Sequence, residues 1–526
     1  MSKKSILFML LVVVVFAIGA SFSRREVVDN TKGIPPATAP QTVELKNGDT
    51  YQIEVSYVSK VIAGNKLKMI AYNGSVPGPT IKVHEGDQVT IHFVNKSDIP
   101  TLLHSHGVRM DNPYDGSQLV QKDVNPGESF DYVLKFTDPG VMWYHPHVRE
   151  DFQQPMGLYG NFVVIPKDEN YWPKADHEET IAVGDILLEN GDFAPFAKDY
   201  FTHVLMGRFG NTMVANGETD LKIKGEPGEV HRFYLTNVAT TRTFNLGIAG
   251  AKMKLIGSDN GRVEKEMMVD SVILAPSERA VVDVFFPQKG EFALEHRTPA
   301  KTYRLGAVTI NGDPFTSDAM KTYGELRKVD GTLASEFALA RTYLAKPSDK
   351  NLKFTVKTDM NKIMSLMMGG DGGMGMGGMD HGSMMGHGHG MATQTIEWED
   401  GMPGMNLYAT DKNTTWVLQD EETGKENMDV LWKFPKGSFT KITLKNNDPT
   451  SPHPMHHPFH AHGNRFVVLS VNGVPNDNMA WKDTVLVKNG DTVDILLENA
   501  NPGKWMAHCH IAEHMHSGMM IEYDVE

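Results

Sequence analysis

The segment Trp505-Met506-Ala507-His508-Cys509-His510-Ile511-Ala512-Glu513-His514-Met515-His516-Ser517-Gly518-Met519 holds the single cysteine of the chain. On a β-strand, residues i and i+2 share one face and i+1 takes the other. His508 and His510 therefore point together, and Cys509 points away from them. A thiolate with two imidazoles and a weak thioether is the donor set of a blue-copper site. His457, His514 and Met519 are the residues that can complete it around Cys509. One short covalent stretch, sulfur to backbone to two imidazoles, then joins that centre to whatever His508 and His510 bind.

Three more stretches repeat the alternation: His104-Ser105-His106, His145-Pro146-His147, and His460-Ala461-His462 within the crowded run His453 to His462. Such pairs set two imidazoles side by side, and four pairs can grip three metal ions while leaving positions for a small ligand. Closed zinc sites favour several thiolates, so one cysteine among so many imidazoles fits them poorly. Composition points the same way. The 526 residues contain 31 Met and 22 His, and thioether and imidazole are ligands that copper prefers. One cysteine excludes an internal disulfide framework. A formal net charge of -14, from 51 basic against 65 acidic residues, disfavours nucleic-acid binding.

Short β-rich runs such as Ile81–Val83, Val89–Phe93 and Phe162–Ile165 alternate with Gly, Pro, Asn and Asp at the spacing of β-sandwiches, and no long stretch has helical periodicity. The punctuation recurs as Asn73-Gly74, Asn216-Gly217 and Asn472-Gly473, each accompanied by a further turn such as Glu85-Gly86-Asp87, Gly225 to Glu229, or Asn489-Gly490-Asp491. The repetition predicts three copies of one sandwich, at 41–167, 172–315 and 350–526. Lys3 and Lys4 followed by an apolar run to Ala20 make residues 1–25 a signal peptide or a retained N-terminal anchor, so the protein is expected to be exported, periplasmic or extracellular. Residues 26–40, with Pro35, Pro36 and Pro40, read as a linker. Residues 364–391 stand apart, with Met364, Met367, Met368, Met374, Met376, Met379, Met384, Met385 and Met391 in a glycine-rich background, and read as an insertion too poor in apolar bulk to pack.

With these motifs the sequence resembles the multicopper oxidase family, from about residue 50 to the C-terminus. The resemblance implies an all-β chain of cupredoxin-like Greek-key sandwiches and four copper ions. It assigns His457, Cys509, His514 and Met519 to the type 1 copper, and His104 and His460 to the type 2 copper. His106, His145, His147, His462, His508 and His510 match the ligands of the type 3 pair. The trinuclear cluster is implied between the first and third sandwiches. The middle one, with no paired histidines among His177, His203, His231 and His296, is left a structural role. Family likeness also makes Asp115 a general acid–base group for dioxygen reduction, where spacing alone reads Asp115-Gly116 as a turn. Many relatives carry a second carboxylate just after the type 1 histidine, where this chain has Met515.

The implied reaction couples four one-electron oxidations to reduction of dioxygen to water, with Cys509 on the electron path. The Met-rich insertion is similar to that of cuprous oxidases, which makes Cu(I) the expected donor and copper tolerance the expected role. Met455, two residues before His457, is the inner candidate for contact with Cu(I), although His453 stands where those enzymes have a carboxylate. Another reduced metal ion, or a laccase-type oxidation of phenols and aromatic amines, is the alternative. A copper store or scaffold is the alternative of another class. A monomer is expected.

Overall fold

The computed structural model describes residues 30–314, 316–368 and 395–526. The signal or anchor at 1–25 and the methionines Met374, Met376, Met379, Met384, Met385 and Met391 fall outside them. Among the described residues no helix is long and apolar enough to cross a membrane.

Six principal sheets pair into three sandwiches. The first places the four-stranded sheet of Asn65–Tyr72, Thr50–Ile62, Gln88–Asn95 and Ser129–Lys135 beside a five-stranded sheet ending in Gly140–His145 and His104–His106. The middle one has sheets of six and five strands, running from His177–Ile186 to Thr302–Ile310. The third has sheets of seven and five, the latter containing His457–Ala461 and Gly503–Cys509 side by side. Alternation in Gln88–Asn95 buries Val89, Ile91 and Phe93 and leaves the residues between them half-exposed or exposed, as a strand covering a core requires. One large apolar core joins the first and third sandwiches, whereas the middle one has a core of its own.

The three Asn-Gly turns are equivalent. Both residues have positive φ in each: 50° and 73° at Asn73-Gly74, 49° and 70° at Asn216-Gly217, 53° and 75° at Asn472-Gly473. Only Gly and, at modest cost, Asn tolerate this geometry, which is the hairpin turn that matches strand twist. Each asparagine side chain also accepts a strand N–H: from Glu54 at 2.7 Å, from Ala182 at 2.8 Å and from Thr492 at 2.9 Å.

Three segments differ from the sequence reading. Ala37 N–H donates to Ser59 O and Ser59 N–H to Pro35 O, both at 2.8 Å, so part of the expected linker 26–40 lies against the strand Thr50–Ile62. The prolines favour an extended backbone suited to such an edge. The helix Gly331–Arg341, unforeseen, joins the second and third sandwiches in sequence and packs Phe337 and Ala340 on Val467, Leu469 and Trp481. Leu333 within the helix and Leu344 just past it pack half-buried against the same cluster. The start of the insertion is also ordered: Met364 and Met367 belong to the helix Met360–Met367, capped by the Asp359 side chain, which accepts the Lys362 N–H at 3.0 Å.

Candidate metal centre

Two strand pairs bring the imidazoles together. His104 and His106 lie across from His145 and Trp143 in the first sandwich, and His460 lies across from His508 in the third. The two sets meet face to face. His106 stacks on His460 with ring centroids 3.8 Å apart, and His104 on His462 at 4.1 Å. His147 lies 5.6 Å from His508, and His145 lies 5.2 Å from His510. All eight are buried.

Their hydrogen bonds are one-sided. Nδ1–H of His104 donates to Asp115 O at 2.6 Å, of His145 to Pro146 O at 2.7 Å, of His460 to Asp483 O at 2.8 Å and of His508 to Cys509 O at 2.8 Å. His147 Nδ1 lies 3.2 Å from a Glu150 carboxylate oxygen, and His462 Nδ1 3.0 Å from that of Asp115. The opposite nitrogens, Nε2 of His104, His145, His147, His460 and His510 and Nδ1 of His106, have no partner among the described residues although buried. Nε2 of His462 and Nε2 of His508 face each other at 3.0 Å. Buried polar atoms are rarely left unpaired. An outward N–H fixed by a carbonyl or carboxylate, with the other nitrogen turned inward, is how metal-binding histidines are held. Burial, and then the neighbouring imidazoles, pushes His145, His460 and His508 well below the usual histidine range, so they present neutral, ligating nitrogens. The donor set fits copper.

A second cluster lies on the other face of Cys509. Its Sγ is 3.5 Å from His457 Nδ1 and 3.8 Å from His514 Nδ1, and the two nitrogens are 3.3 Å apart. Met519 is buried and its carbonyl accepts the Cys509 N–H at 3.1 Å. Burial pushes the thiol up, so a cation is needed to hold it as thiolate. Phe459, directly across from Cys509, seals the sulfur from water.

Three family descriptions match in order along the chain, each reading multicopper oxidase, over residues 52–169, 169–314 and 398–526. The chain belongs to the multicopper oxidase family. It is a copper-dependent oxidoreductase with dioxygen as electron acceptor. The multicopper oxidase mco of Staphylococcus aureus is 26% identical over 475 residues, covering 88% of this chain and 85% of its own. Among solved structures, the laccase-like multicopper oxidase CueO of Ochrobactrum sp. aligns with a TM-score of 0.69 at 21% identity, over 93% of this chain and all (100%) of that one. The Campylobacter jejuni multicopper oxidase, described as a metallo-oxidase, aligns with a TM-score of 0.65 at 24% identity, over 94% and 98% of the two chains. These likenesses give the cupredoxin-like fold.

In this multicopper oxidase Asp115 occupies the turn that its dipeptide predicts. It ends the short turn Asn112–Tyr114, and Gly116 follows at φ +78°, where a Cβ would strike Leu103 O at 2.0 Å. Its carbonyl and carboxylate meanwhile hold His104 and His462. Burial would raise its pKa, but His462 and His104 hold the carboxyl well below the usual range. Glu513 faces elsewhere: its carboxylate accepts from Thr241 Oγ1 at 3.4 Å, and burial pushes it up to about 8.

Sequence reasoning missed several supports. Asp483 accepts from His106 Nε2 at 2.9 Å and is clamped by Arg279 of the middle sandwich through two contacts of 2.6 Å. Glu150, three residues after His147, also meets His516 Nε2 at 2.5 Å and, with Met515, lines a water-sized cavity of about 10 Å³ beside His145 and His510. Two histidines of the crowded run join neither cluster: His456 pairs with Glu397, and His453 lies against Met206. An acid so close to a histidine pair was the one local signal available.

Proposed function

We propose that this multicopper oxidase oxidises Cu(I) and holds four copper ions. One would be held by His457, Cys509, His514 and Met519, and three by His104, His106, His145, His147, His460, His462, His508 and His510. The ring nitrogens left unpartnered while their opposites are engaged carry this reading. Copper bound at these residues supplies one-electron redox chemistry and the reduction of dioxygen to water.

The protein's own groups orient and shield. Asp115 and Asp483 fix imidazole tautomers through hydrogen bonds at the outer nitrogen, and the Glu150 carboxylate lies 3.2 Å from His147 Nδ1. The backbone from Cys509 leads to both neighbouring imidazoles, and His508 Nδ1–H adds a bond to Cys509 O. Asp115, which the family likeness makes a general acid–base group, would relay protons through its carboxylate, which accepts from His462 Nδ1 at 3.0 Å.

Support for Cu(I) as donor comes from the thioethers near the Cys509 site. Met360, Met402 and Met405 gather half-buried around Leu205, Ile363 and Ala409, Met367 lies beside Gly404, and Met364 and Met368 are exposed on the same helix or just past its end. Met455 is buried, with its carbonyl held by Asn446 at 2.6 Å. Soft sulfur favours Cu(I) over harder ions. A phenol remains the second reading because an apolar cleft of about 600 Å³, lined by Phe196, Tyr200, His203, Pro403 and Leu407, opens beside the same loop. The lysine-flanked apolar run of 1–25 supports export. Oxygen consumption measured side by side with Cu(I), Fe(II) and a phenol tests the proposal: Cu(I) should give the highest kcat/KM, and a phenol turned over faster than Cu(I) would reverse it.

A further inference from the structure

His106 is held the other way round from its neighbours in the cluster. Its Nε2–H donates to Asp483 Oδ1 at 2.9 Å, which leaves Nδ1 as the nitrogen without a partner among the described residues. The same aspartate holds His460, the ring stacked on His106, through its backbone carbonyl. Asp483 thus serves both rings, and its carboxylate lies within ligand reach: donor atoms of His106, His460 and Asp483 all fall within 4.8 Å of one another. Two imidazoles and a carboxylate are themselves a metal-binding set, one that suits harder ions than imidazoles alone. A carboxylate drawn onto a metal there would fill a position that a small ligand needs, and its negative charge would favour the oxidised ion.

Arg279 of the middle sandwich stands against this. Its Nη1–H and Nη2–H each donate to one oxygen of Asp483 at 2.6 Å, a two-pronged and charge-assisted grip between buried groups. Further donors are engaged elsewhere, Nε–H with Val141 O at 3.1 Å and Nη1–H with Ser277 O at 3.0 Å, so the guanidinium is fixed in place. Val141 lies in the strand Gly140–His145 of the first sandwich, and one side chain therefore ties all three sandwiches at this edge of the cluster. The chain leaves room for the fork. Gly107, directly after His106, has φ +85°, and a Cβ there would lie 2.6 Å from Arg279 Nη2 and 2.8 Å from Asp483 Oδ2.

We propose that Arg279 is a positioning residue for dioxygen reduction: by gripping both oxygens of Asp483 it keeps that carboxylate out of the metal cluster and turned on the outer nitrogen of His106. The inference rests on the four-copper reading above. It gives the middle sandwich a part in the reaction although that sandwich carries none of the proposed ligands. Asp483 is then a support behind two ligands, and the guanidinium is what stops it from becoming a third.

The test compares the copper-loaded full-length enzyme with Arg279→Met, Arg279→Lys, and each of these combined with Asp483→Asn. The readouts are electron paramagnetic resonance of the non-blue copper, oxygen consumption, and anaerobic bleaching of the blue centre by the donor. Arg279→Met should shift the non-blue signal and slow oxygen consumption about tenfold, the scale of a lost support behind a metal ligand, while bleaching keeps its rate. Lysine keeps the charge but not the fork, so Arg279→Lys should shift the same signal and lose about threefold. Asparagine can still accept from His106 and is no anionic ligand, so adding Asp483→Asn should return most of the lost rate and move the signal back towards wild type. A loss that Asp483→Asn does not relieve, or single variants with the wild-type signal and rate, would overturn the proposal. If Arg279→Met fails to fold, Arg279→Lys with and without Asp483→Asn decides. The four-copper reading fails separately, if the wild type shows the blue copper and no other. This inference fails alone if the wild type holds four coppers and the variants match it.

Discussion

The middle sandwich and its two neighbours share a scaffold and differ in what they carry. Besides the Asn-Gly turns, an asparagine at the end of an equivalent strand holds the next loop in each. Asn95 Nδ2–H donates to the carbonyls of Ile99 and Val124, Asn237 to Arg242 and Leu274, and Asn446 to Met455 and Val487. The strands that follow diverge. The outer sandwiches present His104 and His106, and His460 and His462, whereas the middle one presents Phe244 and Leu246, both buried in its own core. The same backbone device thus displays ligands twice and apolar packing once. The middle sandwich contributes through its edges instead, with Arg279 on Asp483, Thr243 on His456 and Met206 on His453.

The largest effect expected is at the thiolate. Cys509→Ser should abolish the blue colour and lower kcat by about a thousandfold or more, because a hydroxyl cannot replace the soft donor. Turnover near the wild-type rate would remove Cys509 from the electron path. His460→Ala should leave a blue centre that substrate still reduces yet cut oxygen consumption by about a hundredfold or more, since the two clusters use different side chains. Stopped-flow bleaching and an oxygen electrode separate the two steps, and simultaneous loss of colour would contradict that independence.

Arg279→Met probes the middle sandwich. Removing one member of a buried ion pair typically costs about 3–5 kcal/mol, and here it strands Asp483 beside His106 and His460. Denaturant unfolding should show the loss, and a change below about 1 kcal/mol would mean that the clamp is dispensable. For Asp115→Asn, the expected drop in oxygen reduction is about tenfold, with an altered pH profile and intact colour. The native carboxyl is held below its unfolded value, so its stabilisation is present above about pH 4 and is lost as pH falls through the folded pKa. Thermal scans of the metal-free variant should show a flatter acid limb. An unchanged pH profile of activity would leave Asp115 with its turn and its hold on His104 and His462 and no acid–base role. The smallest effect is assigned to the insertion. Deleting 369–391 should lower Cu(I) efficiency a few-fold by removing tethered thioethers, while phenol oxidation holds or rises. Equal loss with both donors would instead indicate general damage.

The sequence by itself determined the family, the three sandwiches and the identity of the imidazoles that come together. Those signals are local: period-2 alternation in His508-Cys509-His510, positive-φ turns at Asn-Gly, and soft donors concentrated in few motifs. The helix Gly331–Arg341 left no such signal, because its apolar residues are spread around it and only Phe337 and Ala340 are buried. Only the tertiary structure decided which groups hold those imidazoles. Asp115 meets His462 across 347 positions, Arg279 meets Asp483 across 204, and Met206 meets His453 across 247. Strand periodicity says which way a side chain faces but not which strand or sandwich it will face. That is set when apolar faces are buried against one another, and a lone aspartate, arginine or methionine shows no trace of its partner until the sandwiches pack.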